Sequence, residues 1–131
     1  MAQESYPEEL LYHPDHDWAR IEPGDGEATL GITWYAQEQL GEVVFCEAPD
    51  VGTSLTQGEP YAEVESVKAV SDVVAPLSGE IVAVNDALAD TPGAINEDPY
   101  GEGWLVRVKL TDPAERERLL DAAAYSAGLS G

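Results

Sequence analysis

Lysine occurs only twice, at Lys68 and Lys109, in a chain with 26 Asp and Glu against 6 Lys and Arg. Each of the two therefore asks for a reason. Lys68 stands in Tyr61-Ala62-Glu63-Val64-Glu65-Ser66-Val67-Lys68-Ala69-Val70-Ser71-Asp72-Val73-Val74-Ala75-Pro76, where two strand-like runs meet near Ser66 to Ala69. No glycine is present there, and Ser66 suits the first position of a type I turn, which accepts ordinary residues at its centre. Val67 and Lys68 then fall at the tip of a hairpin, with Glu63, Glu65 and Asp72 close behind. An amine held clear of the body is open to modification, but a solvated turn lysine, the usual fate of a hairpin lysine, has the same pattern. Lys109 fits only the second description. Arg107 and Lys109 alternate with Val106, Val108 and Leu110, which puts the charged pair on the face opposite the apolar one.

Other residues with chemical potential carry less. His13-Pro14-Asp15-His16-Asp17 holds metal-ligand types, but Pro14 opposes a regular helix presenting both imidazoles on one face. No distant Cys or His completes a ligand set, so no metal is expected. Cys46 sits among apolar strand residues without a basic neighbour in sequence and reads as a small buried hydrophobe. Gly101-x-Gly103 lacks the following glycine and the strand-to-helix setting of a dinucleotide loop, and reads as a turn before Trp104. No catalytic residue is assigned.

The elements that must position Lys68 are short and mostly extended. Residues 1–15, interrupted by Pro7 and Pro14, read as an irregular arm. Residues 16–22, whose last four alternate like a half-buried strand, and 27–32, joined by a turn at Pro23-Gly24-Asp25-Gly26, suggest a hairpin at a sheet edge. Thr33 can cap a two-turn helix through Leu40 that Gly41 ends in the left-handed conformation. Strands follow over 42–48, 60–66, 70–75, 79–85 and 104–110. Asp112-Pro113-Ala114-Glu115 has the form of a capping box, opening a helical segment with a Leu119, Leu120, Ala123, Ala124 stripe and a stop at Gly128. The spacing predicts a mainly β fold: a flattened antiparallel barrel or sandwich with a short internal helix and a C-terminal helical segment. Its 131 residues predict a single domain over 1–131, without a linker.

A formal net charge of −20 repels phosphate backbones and anionic headgroups, so neither nucleic acid nor membrane is an expected partner. The acidity serves solubility or docking onto basic protein surfaces. No apolar run approaches the roughly 18 residues that span a bilayer. The opening residues lack the character of an export or transit signal, so the cytoplasm is the expected compartment.

The residues around Lys68 also carry a likeness. Glu65-Ser66-Val67-Lys68-Ala69, then Asp72 and Ala75-Pro76-x-x-Gly79, resembles the lipoylation segment of glycine cleavage H proteins, within the lipoyl and biotinyl carrier superfamily. His16-Asp17-Trp18, Gly31-Ile32-Thr33, Ala36-Gln37, Leu40-Gly41-Glu42, and Ile95-Asn96 through Asp98-Pro99-Tyr100-Gly101-x-Gly103-Trp104 resemble it too, so the likeness runs over about residues 11–127. It implies a barrel-sandwich hybrid and a carrier rather than an enzyme, with lipoate amide-linked to Lys68. The implied partners are glycine decarboxylase, an aminomethyltransferase, dihydrolipoamide dehydrogenase, and a lipoate ligase or an octanoyl or lipoyl transferase. The arm would shuttle an aminomethyl group in glycine catabolism. Glu63, Glu65 and Asp72 would help the modifying enzyme recognise the hairpin, and Asp17 would hold the loaded arm. Asp17 departs from the family's usual His-Glu-Trp run by one methylene, and Trp34 replaces an acidic residue. The alternatives are an octanoyl or lipoyl relay protein, a lipoyl domain of a 2-oxo acid dehydrogenase, and an unmodified acidic interaction domain. Val67 stands where dehydrogenase domains carry Asp.

Overall fold

The computed structural model describes residues 3–24 and 26–130, so residues 1 and 2 of the expected arm and Asp25 of the expected turn lie outside the described residues. Strands β1 (Leu11–His13), β2 (Asp17–Ile21) and β3 (Glu27–Ile32) make an antiparallel meander, with Trp18 opposite Gly31 and Ile21 opposite Ala28. The expected hairpin is present but is not an edge. Residues 11–13 leave the expected arm and form the edge strand themselves, because Leu10 and Tyr12 are wholly buried and extended backbone lets both reach the interior.

Helix α1 (Trp34–Leu40) begins and ends where its caps predict. Thr33 accepts from the Ala36 amide at 3.3 Å, and Gly41 has φ of 82°, which a side chain would strain. Strands β4 (Val43–Glu47), β5 (Ser54–Leu55), β6 (Pro60–Ser66), β7 (Val70–Val74) and β8 (Gly79–Val84) follow. Then come α2 (Ala94–Glu97), β9 (Val106–Leu110) and α3 (Ala122–Ser130), with short 3-10 turns at Asp86–Ala89 and Pro113–Arg118.

The strands form two open antiparallel sheets, one of six strands ordered β1-β2-β3-β9-β8-β5 and one of three ordered β4-β6-β7. The sandwich is therefore the form taken, and among the described residues the sheets do not close into a barrel. Leu30, Ile32, Ile81 and Val108 of the larger sheet share one buried core with Val43, Val64 and Val73 of the smaller. Trp18 lies on the other face of the larger sheet, with Leu10, Tyr12, Tyr100 and Tyr125. Its indole lies flat on Gly31, where an added Cβ would stand 2.6 Å from the ring.

The C-terminal segment departs from its local pattern. Asp112 makes no side-chain cap, and Glu115 instead accepts from the Ser78 amide and hydroxyl, both at 2.7 Å. Leu120 pairs with Tyr12 through two backbone hydrogen bonds of 2.7 and 2.8 Å, so the chain runs extended before α3 starts. That break resets the helical phase. Ala122 and Tyr125 are buried while Ala123 and Ala124 of the expected stripe are exposed, and Gly128 lies inside α3 rather than ending it. Among the described residues no helix is long and apolar enough to cross a membrane.

Candidate functional site

Strands β6 and β7 pair in the register Glu63–Asp72, Val64–Ser71 and Glu65–Val70, leaving Val67, Lys68 and Ala69 at the tip. Ser66 makes this glycine-free turn possible. Its amide donates to the Ala69 carbonyl at 2.8 Å, and its hydroxyl oxygen accepts from the amides of Lys68 at 3.2 Å and Ala69 at 3.0 Å. A side-chain oxygen thus replaces the carbonyl that usually closes a turn. The Val67 amide donates to the Glu42 carbonyl at 3.1 Å, which ties the tip to the junction between α1 and β4. Lys68 is exposed, and its stem passes over Gly41, where an added Cβ would meet Cε at 3.3 Å.

The junction under the tip is itself held from a distance. Asn96, buried on α2, donates to the Gly41 carbonyl at 2.8 Å and to Gln37 Oε1 at 3.0 Å, and its Oδ1 accepts from the Val43 amide at 2.8 Å. Sequence reasoning used Asn96 only as part of a likeness and assigned it no task. Its only local signal was an amide beside the buried Ile95.

Beside the hairpin lies a cleft of about 290 Å³, with α1 as one wall and β7 as the other. Ile32, Ala36, Leu40 and Val64 make its surface largely apolar. Asp17 lines it at 2% exposure, and its Oδ2 has no hydrogen-bond partner among the described residues. Burial pushes the Asp17 carboxyl well above the usual carboxylate range, Asp15 adds to the shift, and a backbone hydrogen bond with Val74 opposes it. The buried Tyr61 hydroxyl likewise lacks a partner among the described residues, and burial with the nearby Asp17 raises its pKa. Walls that are mostly apolar and end in an unsatisfied carboxyl suit a slender apolar chain with a cationic or hydrogen-bonding end.

His16 completes the rim in a left-handed conformation, with φ of 75°, that non-glycine residues seldom adopt. Its Nδ1 lies 2.8 Å from the Tyr125 hydroxyl, which lies 2.8 Å from Thr33 Oγ1, and its amide donates to the His13 carbonyl. Burial lowers its pKa, with Asp15 opposing. His13 instead accepts from the Asp15 amide at 3.1 Å, so the two imidazoles serve different partners. Among the described residues no three His, Cys, Asp or Glu side chains could hold a metal.

Glu63, Glu65 and Asp72 sit on one face of the smaller sheet behind Lys68, and the fold brings Glu47 beside them. Cys46 lies on the opposite face, partly buried, with its thiol pushed up to about 11 by burial, which disfavours a nucleophilic thiolate. Lys109 is exposed in mid-strand. Gly101 and Gly103 close a turn by donating to the Asp98 carbonyl, ahead of Trp104.

The glycine cleavage H-protein family model matches residues 10–130. The glycine cleavage system H proteins of Cronobacter sakazakii and Symbiobacterium thermophilum are 55% and 53% identical over 121 residues, covering 92% of this chain and 93% of each relative. The crystal structure of such a protein from Mycobacterium marinum superimposes with a TM-score of 0.86 at 45% identity, covering 95% of this chain and 99% of that one. Sequence, length and fold agree over nearly the whole chain, and it belongs to the glycine cleavage H-protein family.

Proposed function

We propose that this chain is the lipoyl carrier of a cytoplasmic glycine cleavage system, with lipoate joined in amide linkage to Lys68 Nζ. The observation that carries the reading is the exposed lysine on a hairpin tip that Ser66 and Glu42 hold rigid. A flexible arm gains reach from an exposed base and accuracy from a fixed one. When bound, the lipoyl group supplies sulfur chemistry that takes up the aminomethyl group left by glycine decarboxylation and gives up its methylene to a folate acceptor. This chain is then the substrate served in turn to glycine decarboxylase, the aminomethyltransferase and dihydrolipoamide dehydrogenase. It performs no catalysis itself.

Its own residues have two tasks in that cycle. Lys68 offers Nζ to a lipoate ligase or an octanoyl or lipoyl transferase, and Glu63, Glu65 and Asp72 mark the hairpin for that enzyme. The cleft walls shield the loaded arm from water while Asp17 Oδ2 accepts a hydrogen bond from its cationic end. The unpartnered state of that oxygen supports the assignment, since a buried acceptor left alone costs free energy that a docked donor removes.

The test is the intact mass of protein made in cells that lipoylate, with peptide mapping around Lys68, followed by glycine-dependent reduction of the arm by the decarboxylase. A lipoyl mass on Lys68 and glycine-dependent thiol formation are expected. An unmodified Lys68 in such cells would leave an acidic interaction domain as the better account.

A further inference from the structure

Of the six large apolar side chains exposed among the described residues, four lie on the lysine hairpin or the strand beside it: Val44, Phe45, Val67 and Val70, at 45%, 46%, 69% and 59% exposure. A register shift between Val43 and Phe45 places an extra residue, Val44, in edge strand β4. Without that bulge, strict alternation would turn one of two neighbouring residues inward, whereas here both stay outside.

Cross-strand partners share a face, so the register arranges this surface in rows. Phe45, Glu65 and Val70 form the row next to the tip, and Glu47, Glu63 and Asp72 form the row behind it. Neither row helps the fold. Exposed apolar side chains bury little, and like charges directly opposite one another are destabilising. A bulge that re-aims side chains, an apolar pair flanking Glu65 and a row of carboxylates all surround the same lysine.

We propose that this face of β4-β6-β7 is the docking surface for the enzyme that acylates Lys68, with Phe45 and Val70 as its apolar anchors. The proposal rests on the reading that Lys68 is acylated, and it adds residues outside the acidic set. The occupant follows from where the reaction happens. In acylation, Nζ bonds to the carbonyl carbon of an activated lipoyl or octanoyl adenylate or thioester. The bond to the leaving group breaks, and the leaving group takes the proton that Nζ gives up. That enzyme must enclose the lysine itself and therefore touch its neighbours. Enzymes that work at the far end of a finished arm have no such need. The matching surface carries an apolar socket near its active-site mouth and Arg or Lys one strand-row further out, complementary to Glu47, Glu63 and Asp72.

The experiment uses the full unmodified chain, a purified lipoate ligase, lipoate and ATP, with acylation followed by intact mass. In the double variant Phe45→Ser with Val70→Ser, kcat/KM should fall by about tenfold or more, while Val82→Ser, exposed on β8 of the larger sheet, should stay within about twofold. Phe45→Leu should recover most of the loss, and thermal melting should match the wild type, which separates docking from misfolding. Neutralising Glu47, Glu63 and Asp72 together should raise KM and flatten its dependence on salt. Acylation of the double variant at the wild-type rate would overturn the proposal. So would normal acylation combined with poor glycine-dependent reduction of the finished arm, since that assigns the face to the decarboxylase. Failure of the wild type itself to be acylated would instead remove the carrier reading on which the proposal stands.

Discussion

Each sheet carries a row of three charged residues directly opposite one another, and the two rows obey different rules. On the larger sheet Lys109 stands between Glu27 and Glu80, so each neighbour attracts it. On the smaller sheet Glu63 stands between Glu47 and Asp72, and all three repel. Opposite charges across strands stabilise a sheet and like charges weaken it. The first row is what folding alone would choose, while the second persists against it, on the sheet that carries Lys68. The larger sheet builds the body, and the smaller one presents a site.

The two lysines give the sharpest way to break that contrast. Lys68→Arg should abolish the lipoyl mass and all glycine-dependent thiol formation, because guanidinium keeps the charge but does not form the amide. Lys109→Arg should leave both intact. Intact-mass measurement of the two variants side by side decides it, and an arm found on the Lys68→Arg protein would move the site elsewhere.

The next effect belongs to the larger sheet and touches stability alone. Gly31→Ala would place a methyl 2.6 Å from the Trp18 indole, on a side chain that is fully buried and donates to the Pro99 carbonyl at 3.0 Å. Overpacking of this kind costs about 1–3 kcal/mol, which should appear as a lower melting midpoint. Acylation of Lys68 at a temperature where the variant is folded should be unchanged, since the indole lies on the face away from the shared core.

What could be read from the sequence was what short stretches encode. The hairpin, its tip and the cap of α1 each depend on residues within a few positions of one another, as with Thr33 and Ala36 or Ser66 and Ala69. Tertiary competition hid the rest. Glu115 looked like half of a capping box, but Ser78, 37 residues away, offers it two donors at once. Asn96 supports the lysine hairpin through Gly41 and Val43, partners 55 and 53 residues distant. The cleft needs Asp17 of β2 and Val73 of β7 to meet, and likeness to a family pointed to Asp17 where spacing could not. The carboxylate rows were invisible for the same reason, because only register puts Glu47 beside Glu63.

Asp17 joins the two sheets' concerns, since it begins a strand of the body and faces the cleft of the site. Its carboxyl titrates near 3.8 when unfolded and well above that in the fold, chiefly because it is buried. As pH rises from about 4, the unfolded chain gives up a proton that the fold retains, so this residue subtracts stability until the folded pKa is passed. Asp17→Asn removes that dependence. The variant should therefore gain stability over the wild type as pH rises above 4, and the difference should close again near pH 3. Denaturant midpoints across pH measure it. The same variant should lose the glycine-loaded form to hydrolysis faster, because an amide accepts a hydrogen bond without adding opposite charge.

The smallest effect tests the rows themselves. Glu63→Lys would convert the repelling row into an alternating one, and Lys109→Glu would convert the attracting row into a repelling one. Pair energies of about 0.2–1 kcal/mol per contact predict a modest rise in stability for the first and a similar fall for the second. Both shifts should shrink in concentrated salt, where exposed charges are screened. Function should move the other way. Glu63→Lys, the more stable protein, should be the poorer substrate for acylation, and Lys109→Glu, the less stable one, should be acylated as before. If Glu63→Lys gained stability with no loss in acylation rate, the like-charged row would have no role in recognition. The contrast between the two sheets would then rest on Phe45 and Val70 alone.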